Sequence, residues 1–208
     1  MSLPASTVYR NGPSQRAFFS KLENAVSAPD NRWSFALLLT GTLVLASMLA
    51  STAARAAANA PPTLAVLGTF FHNDNEGLEP TTDAERGRLK RTGDEFAAQL
   101  SGSGRYTIVP TPDDMRAKIA AGQLPGECGG CEADYGRALG ADLVAWIRVQ
   151  KVSNLILNMN VYIADVNSGR MLLTKSVDLR GNTDDSWARS LAYIVKNAVL
   201  PADIKPPA

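Results

Sequence analysis

The apolar positions of this chain change their period three times, and each change predicts a different element. From Arg32 the sequence runs "RWSFALLLTGTLVLASMLASTAARAAANAPP", with no charge between Trp33 and Ala50 and a string of small residues behind. From Thr63 to Phe71, "TLAVLGTFF" is a short apolar run of strand formers and predicts a buried strand. Thr82-Asp83-Ala84-Glu85 has the Thr-x-x-Glu spacing of a capping box. Behind it Leu89, Phe96, Ala97 and Leu100 recur at helical spacing, with Gly102 expected at the helix end in a conformation that tolerates positive φ. "RYTIVP" predicts a second short strand, and Thr111-Pro112-Asp113-Asp114 a helix start with Thr111 as cap. Met115 and Ile119 give that helix an apolar side, and Gly122 ends it. "EADYGRALG" predicts one more short helix, closed by Gly140.

After Ala141 the period becomes two. "DLVAWIRVQKV" is a nearly continuous apolar strand. In "LILNMNVYIADV", Leu155, Leu157, Met159, Val161 and Ile163 fall on one face, and Ile156, Asn158, Asn160, Tyr162 and Ala164 on the other. The turn "NSG" (167–169) leads back into "RMLLTKSVDL", so the three strands are expected to be antiparallel neighbours. Thr183 is placed to cap a last helix with a stripe of Trp187, Leu191, Ile194, Val195 and Ala198, stopped by Pro201. The fold class expected is α/β (α+β). It is a single mixed sheet of about five strands with helices packed on it, in the order β-α-β-α-α-β-β-β-α, preceded by a signal or anchor helix.

Four segments follow: a polar N-terminal extension (1–32), a signal peptide or anchor helix (33–58), an α/β domain (63–200) and a tail expected to fray (201–208). The charged, apolar and small-residue order of the second segment is that of an export signal. Cleavage is expected between Ala56 and Ala58. Retention as one anchor helix is the alternative, since a run of about 18 residues is barely long enough to span a bilayer. No cysteine follows the run where a lipid would be attached. The expected location is periplasmic, with the membrane touched only through that helix if it is kept.

Composition adds little. Apolar residues are 45% of the 208 and charged residues 20%, an ordinary globular mixture. The net charge is +1, and beyond residue 56 there are 16 basic and 18 acidic residues. Nucleic acid is therefore not an expected partner.

The segment "YGRALGADLVAWIRVQKVSNLILNMNVYIADVNSGRMLLTKSVDLRG" resembles a pattern of bacterial envelope proteins: a helix ending in Leu-Gly-Ala-Asp, a strand, and a hairpin closed by a Val-Asn-Ser-Gly turn. It is similar to the amino-terminal domain of the Tol-system propeller protein, to lipoprotein activators of penicillin-binding proteins, and to the curli secretion lipoprotein. Within this group the chain most resembles a secreted bacterial family of unknown function, over Thr63 to Pro201. The resemblance implies a domain that binds partners rather than one with its own chemistry. It also implies a neighbourhood of periplasmic alcohol-oxidation systems.

Candidate chemistry is sparse. Cys128 and Cys131 are the two cysteines, spaced C-x-x-C. Haem attachment needs His directly after the second cysteine, where Glu132 stands, and a structural zinc site needs four ligands from a chain with two cysteines and one histidine. In an exported protein the pair is expected to form a structural disulfide; a redox-active dithiol, free thiols and a shared metal stay open as alternatives. His72, with Asp74, Glu76 and Glu79 near it, reads as a solvated loop. Arg86, Arg88, Lys90 and Arg91 surround a helix and read either as its wet side or as a patch for an anionic partner. Lys151, Asn154, Asn158 and Asn160 line a strand pair and read as an exposed sheet face or an edge that accepts another strand. No nucleophile elbow and no phosphate-cradling glycine motif is present, and no cofactor is expected. The function expected is a non-enzymatic periplasmic accessory domain that binds or regulates another envelope protein of unidentified kind. A thiol–disulfide or metal-handling accessory built on Cys128 and Cys131 is the alternative.

Overall fold

The computed structural model describes residues 60–202 and 204–207. The expected N-terminal extension and apolar segment lie outside the described residues. Among those described, no helix is long and apolar enough to cross a membrane.

Five strands form one mixed sheet in the order β2-β1-β3-β4-β5. They are β1 (Thr63–Asn73), β2 (Thr107–Val109), β3 (Leu143–Lys151), β4 (Ile156–Asp165) and β5 (Met171–Arg180). β1 runs parallel to both β2 and β3, and β3, β4 and β5 are antiparallel neighbours. The helices are α1 (Asp83–Gly102), α2 (Asp113–Ala121), α3 (Cys131–Leu139) and α4 (Asp184–Ile194), the last continued by a π-turn at Val195–Val199. The element order is the one the periodicity predicts.

α1 and α4 cover one face. Phe96 and Leu100 of α1 and Trp187, Leu191 and Ile194 of α4 pack on Leu64, Ala145, Ile147, Met159 and Val161 of the sheet. Both helices start on the hydroxyl caps that the sequence marks: Thr82 with Glu85, and Thr183 with Ser186. On the opposite face a smaller core joins Ile119 of α2 and Tyr135 of α3 to Leu67, Val144, Trp146 and Ala164. α3 lies so close to the strands that a Cβ on Gly136 would sit 2.4 Å from Val166 Cγ2 and 2.7 Å from Val144 Cγ1. Only a residue without a side chain lets the helix backbone approach that far.

Four local expectations are corrected. Gly102 stays helical, and the positive φ falls on Gly104 (φ 68). The cap position of α2 is Pro112, with no side-chain cap; the Thr111 hydroxyl instead donates to Val66 O at 3.1 Å. Leu155 leaves the β4 alternation and is exposed in the β3–β4 turn, while Leu157, Met159, Val161 and Ile163 are buried. The tail does not fray at once: Ile204 is buried in the larger core.

Candidate functional site

α2, α3 and the cysteine loop cover only half of their face of the sheet. The cover ends at Trp146 and Tyr162, whose rings stack 5.1 Å apart at 14°. Beyond this pair the face is open, and the strand register lays polar side chains across it in rows. Arg148 stands beside Asn160 and Ser176, and Gln150 beside Asn158 and Asp178. A shallow cavity of about 430 Å³ lies over Arg148, Gln150, Asn158, Asn160, Tyr162 and Asp178.

These groups are only partly engaged with one another. Asn158 Nδ2 donates to Ser176 Oγ at 2.7 Å, and Asn160 Nδ2 reaches Arg148 O at 3.4 Å. Gln150 Nε2 donates to Asp74 Oδ2 at 3.0 Å. The side-chain oxygens of Asn158 and Asn160 accept no hydrogen bond from a described residue. Because β3 and β4 are inner strands, their backbones are paired on both sides, so the face presents amides and one guanidinium from a fixed sheet, with the Asp178 carboxylate from the edge strand β5 beside them and the aromatic pair at the rim. It is not a sheet edge, which corrects the edge reading for these residues.

The cysteine loop forms one wall of this face. The Cys128 and Cys131 sulfurs lie at disulfide-bonding distance, 1.98 Å, with their Cα atoms 5.6 Å apart. Cys131, the second cysteine, opens α3, one residue earlier than the sequence pattern predicts. The loop lies flat on Trp146: a Cβ on Gly126 (φ +87) would stand 3.1 Å from the indole ring. Glu132 is buried beneath the ring, accepting from Gly126 N at 3.2 Å and touching Cys128 Sγ at 3.2 Å. Glu127 and Arg148 pair across the loop's outer side and tie it to the open face.

Two consequences follow for thiol chemistry. The Glu132 carboxyl stands against Cys128 Sγ at 3.2 Å, where an activated thiolate calls for a cationic neighbour or a helix start. Cys128 itself stands in a turn rather than at a helix start. Cys128, Cys131 and Glu132 bring donor atoms within 4.8 Å of one another, but sulfurs bonded to each other have no thiolates to give a metal.

The remaining predicted residues fall elsewhere. Lys151 is corrected from the exposed face to the interior. It is 2% exposed, and its Nζ lies 2.9 Å from Glu85 Oε1, a carboxylate 1% exposed. Asn154 lies in the β3–β4 turn, donating to Glu79 Oε2 at 3.0 Å and accepting from Asn182 at 3.2 Å. Arg86 pairs with Asp83 at 2.9 Å on the surface of α1. Arg88 is mostly buried and binds Asp184 Oδ1 at 2.6 Å, holding α1 to α4. Arg91 joins the same carboxylate at 3.0 Å, and Lys90 pairs with Asp94 at 2.6 Å. With each cation matched to an acid, the helix carries no open basic patch. The Arg88 hydrogen bond, above all, holds the Asp184 carboxyl below its usual range. His72 belongs to β1, not to the loop after it, with Nε2 3.0 Å from Asp74.

The site thus joins Asn158 and Asn160 to residues the sequence did not single out: Arg148, Gln150 and Asp178. The signal was present as every second position of "WIRVQK", but the apolar neighbours masked it.

A polar sheet face with a disulfide loop at its border defines an α+β domain without a catalytic constellation among its described residues. Residues 62–199 match the family DUF3280, described as protein of unknown function (DUF2380), and the chain belongs to that family. No curated protein matches the chain. Among solved structures, it is similar to the lipoprotein GNA1162 from Neisseria meningitidis, at 18% identity over 68% of this chain and 99% of that one, TM-score 0.46. The LpoB C-terminal domain from Salmonella enterica matches at 17% identity over 58% and 84%, TM-score 0.39. TolB from Acinetobacter baumannii matches at 15% identity over 66% and 28%, TM-score 0.38.

Proposed function

We propose that this protein is a non-enzymatic accessory domain of the bacterial envelope that binds, and so recruits or regulates, another envelope protein through the open half of its sheet. The carrying observation is the face around Asn158 and Asn160. It pairs an aromatic rim with polar groups held mainly on inner strands, and the side-chain oxygens of Asn158 and Asn160 accept no hydrogen bond from a described residue. Such a surface suits a protein partner whose own donors complete it, because aromatic anchors and direct polar contacts are both usual parts of a non-obligate interface. Export is supported by the apolar and small-residue segment of 33–58. The cysteine ring fits an oxidising compartment and sets the border of the face. The thiol–disulfide alternative is disfavoured by Glu132 against Cys128.

The test is capture from envelope extracts by the full chain and by a variant carrying Asn158→Arg and Asn160→Arg. One envelope protein should be retained by the wild type and lost with the variant, at unchanged thermal stability. Retention of the same protein by both would place the contact elsewhere.

A further inference from the structure

β1 is 11 residues long, but β2 pairs only with its first three, from Thr63↔Thr107 to Ala65↔Val109. Pro110 and Pro112 end the shorter strand, since proline has no N–H for a ladder. The Thr111 hydroxyl then takes the place of the next donor, binding Val66 O at 3.1 Å. Past this point a bulge between Val66 and Gly68 turns the strand. Among the described residues, the remainder of the β1 edge has no neighbouring strand.

The direction of its backbone groups follows from the ladder. Asp74 N donates to Lys151 O at 2.9 Å. In a parallel ladder alternate residues face the same partner, so Phe70 and His72 face β3 while Thr69 and Phe71 turn their N–H and C=O outward. A slot of about 830 Å³ opens along Val66 to Thr69 and meets this edge at Thr69. Leu89, Gly93 and Ala97 of α1 form one wall, and Val109 to Pro112 form the other. The charges at its mouth are already matched, Lys90 with Asp94 at 2.6 Å and Arg116 with Asp113. At its floor the Thr69 hydroxyl is buried without a partner.

The geometry points to strand addition: the slot receives a neutral, extended segment of a partner protein, which lies along Thr69–Phe71 as a sixth strand. Main-chain groups on an open edge give such a segment its affinity, and alternate side chains give it specificity. Apolar side chains on one side of the segment meet Leu89, Gly93 and Ala97. A charged ligand finds no unmatched counter-charge there, so the neutral segment is the occupant that fits. This goes beyond the open-face reading, uses a different surface, and stands or falls separately from it.

The probe is a library of uncharged seven-residue peptides selected against the full chain, followed by amide hydrogen exchange with the selected peptide. Selected sequences should alternate apolar and polar residues. The Thr69 and Phe71 amides should exchange freely without peptide and slow at least tenfold with it, while Asn158 and Asn160 stay unchanged. Ala97→Trp, which fills the slot from the α1 side, should abolish binding; exchange on the unaltered chain decides the matter if that variant does not fold. Three results would overturn the proposal. They are Thr69 and Phe71 amides already as protected as those of Phe70 and His72, no peptide selected, or a chain dimer that Ala97→Trp dissolves, which would make the occupant a second copy.

Discussion

Lys151 Nζ sits 2.9 Å from Glu85 Oε1 with both side chains withdrawn from water. This ion pair joins the end of β3 to the first turn of α1. The other Glu85 oxygen accepts from Thr82 N at 2.7 Å and from the Thr82 hydroxyl at 2.9 Å, and Asn182 Nδ2 reaches Oε1 at 2.6 Å from the β5–α4 link. One carboxylate thus closes the corner where a strand, a helix start and a loop meet. Removing Lys151 leaves the Glu85 carboxylate buried without its cation, whereas removing Glu85 leaves Lys151 with Glu79 at 3.6 Å. Lys151→Met is expected to cost about 3–5 kcal/mol in urea unfolding. Lys151→Met with Glu85→Gln should cost less than Lys151→Met alone, because no uncompensated charge remains.

The same carboxylate makes stability depend on pH. Burial pushes the Glu85 pKa up, but hydrogen bonds from the Thr82 backbone, Lys151, the Thr82 hydroxyl and Asn182 override it and lower it from 4.5 to about 2. A depressed folded value means that the unfolded chain binds the proton first. The contribution is therefore complete above about pH 4.5 and fades as pH falls towards 2, about 3 kcal/mol in all. Glu85→Gln should flatten the acid limb of a stability-against-pH curve measured from pH 6 to 2. An unchanged limb would remove Glu85 from the account.

Gly136 packs α3 against the sheet, and an added methyl group has nowhere to go beside Val144 and Val166. Gly136→Ala should cost roughly 1–3 kcal/mol. The displaced α3 should also shift the near-ultraviolet signal of Trp146, whose ring lies under the same helix and loop. Gly104→Ala makes a useful contrast, since open space surrounds it and only its backbone is strained.

Reducing the Cys128–Cys131 bond should leave the fold in place. A ring of so few residues restricts the unfolded chain little, and its loss is expected to cost about 2 kcal/mol or less. The change should be local, seen as altered Trp146 fluorescence with the far-ultraviolet spectrum kept. A reduction potential below about −300 mV is expected for a bond that shapes the loop. A potential in the range of thiol–disulfide oxidoreductases would favour the redox alternative.

The elements were legible wherever local rules decide them. Thr82-x-x-Glu85 announced α1, and the alternation from Leu157 to Ile163 announced β4, because capping and pleat act within a few residues. Lys151 was misplaced because the interior position of a charge depends on Glu85, 66 residues away in sequence. Ile204 is hidden for a similar reason: one apolar residue among prolines carries no period, and its place in the core depends on residues distant in sequence. The open face was half visible. Asn158 and Asn160 stand out in an apolar strand, but Arg148, Gln150 and Asp178 join them only once the register of three strands is set. The vacant edge of β1 depends on β2 stopping after three residues, which Pro110 and Pro112 explain only when the partner strand is known.

The most direct measurement is site-specific photo-crosslinking in cells of the source type, with the reactive group at Asn160 and, as a control, at the exposed Tyr193 on α4. The open-face account predicts one envelope protein crosslinked from Asn160 and none of it from Tyr193. Equal crosslinking from both positions, or none from Asn160 in growing cells, would contradict it.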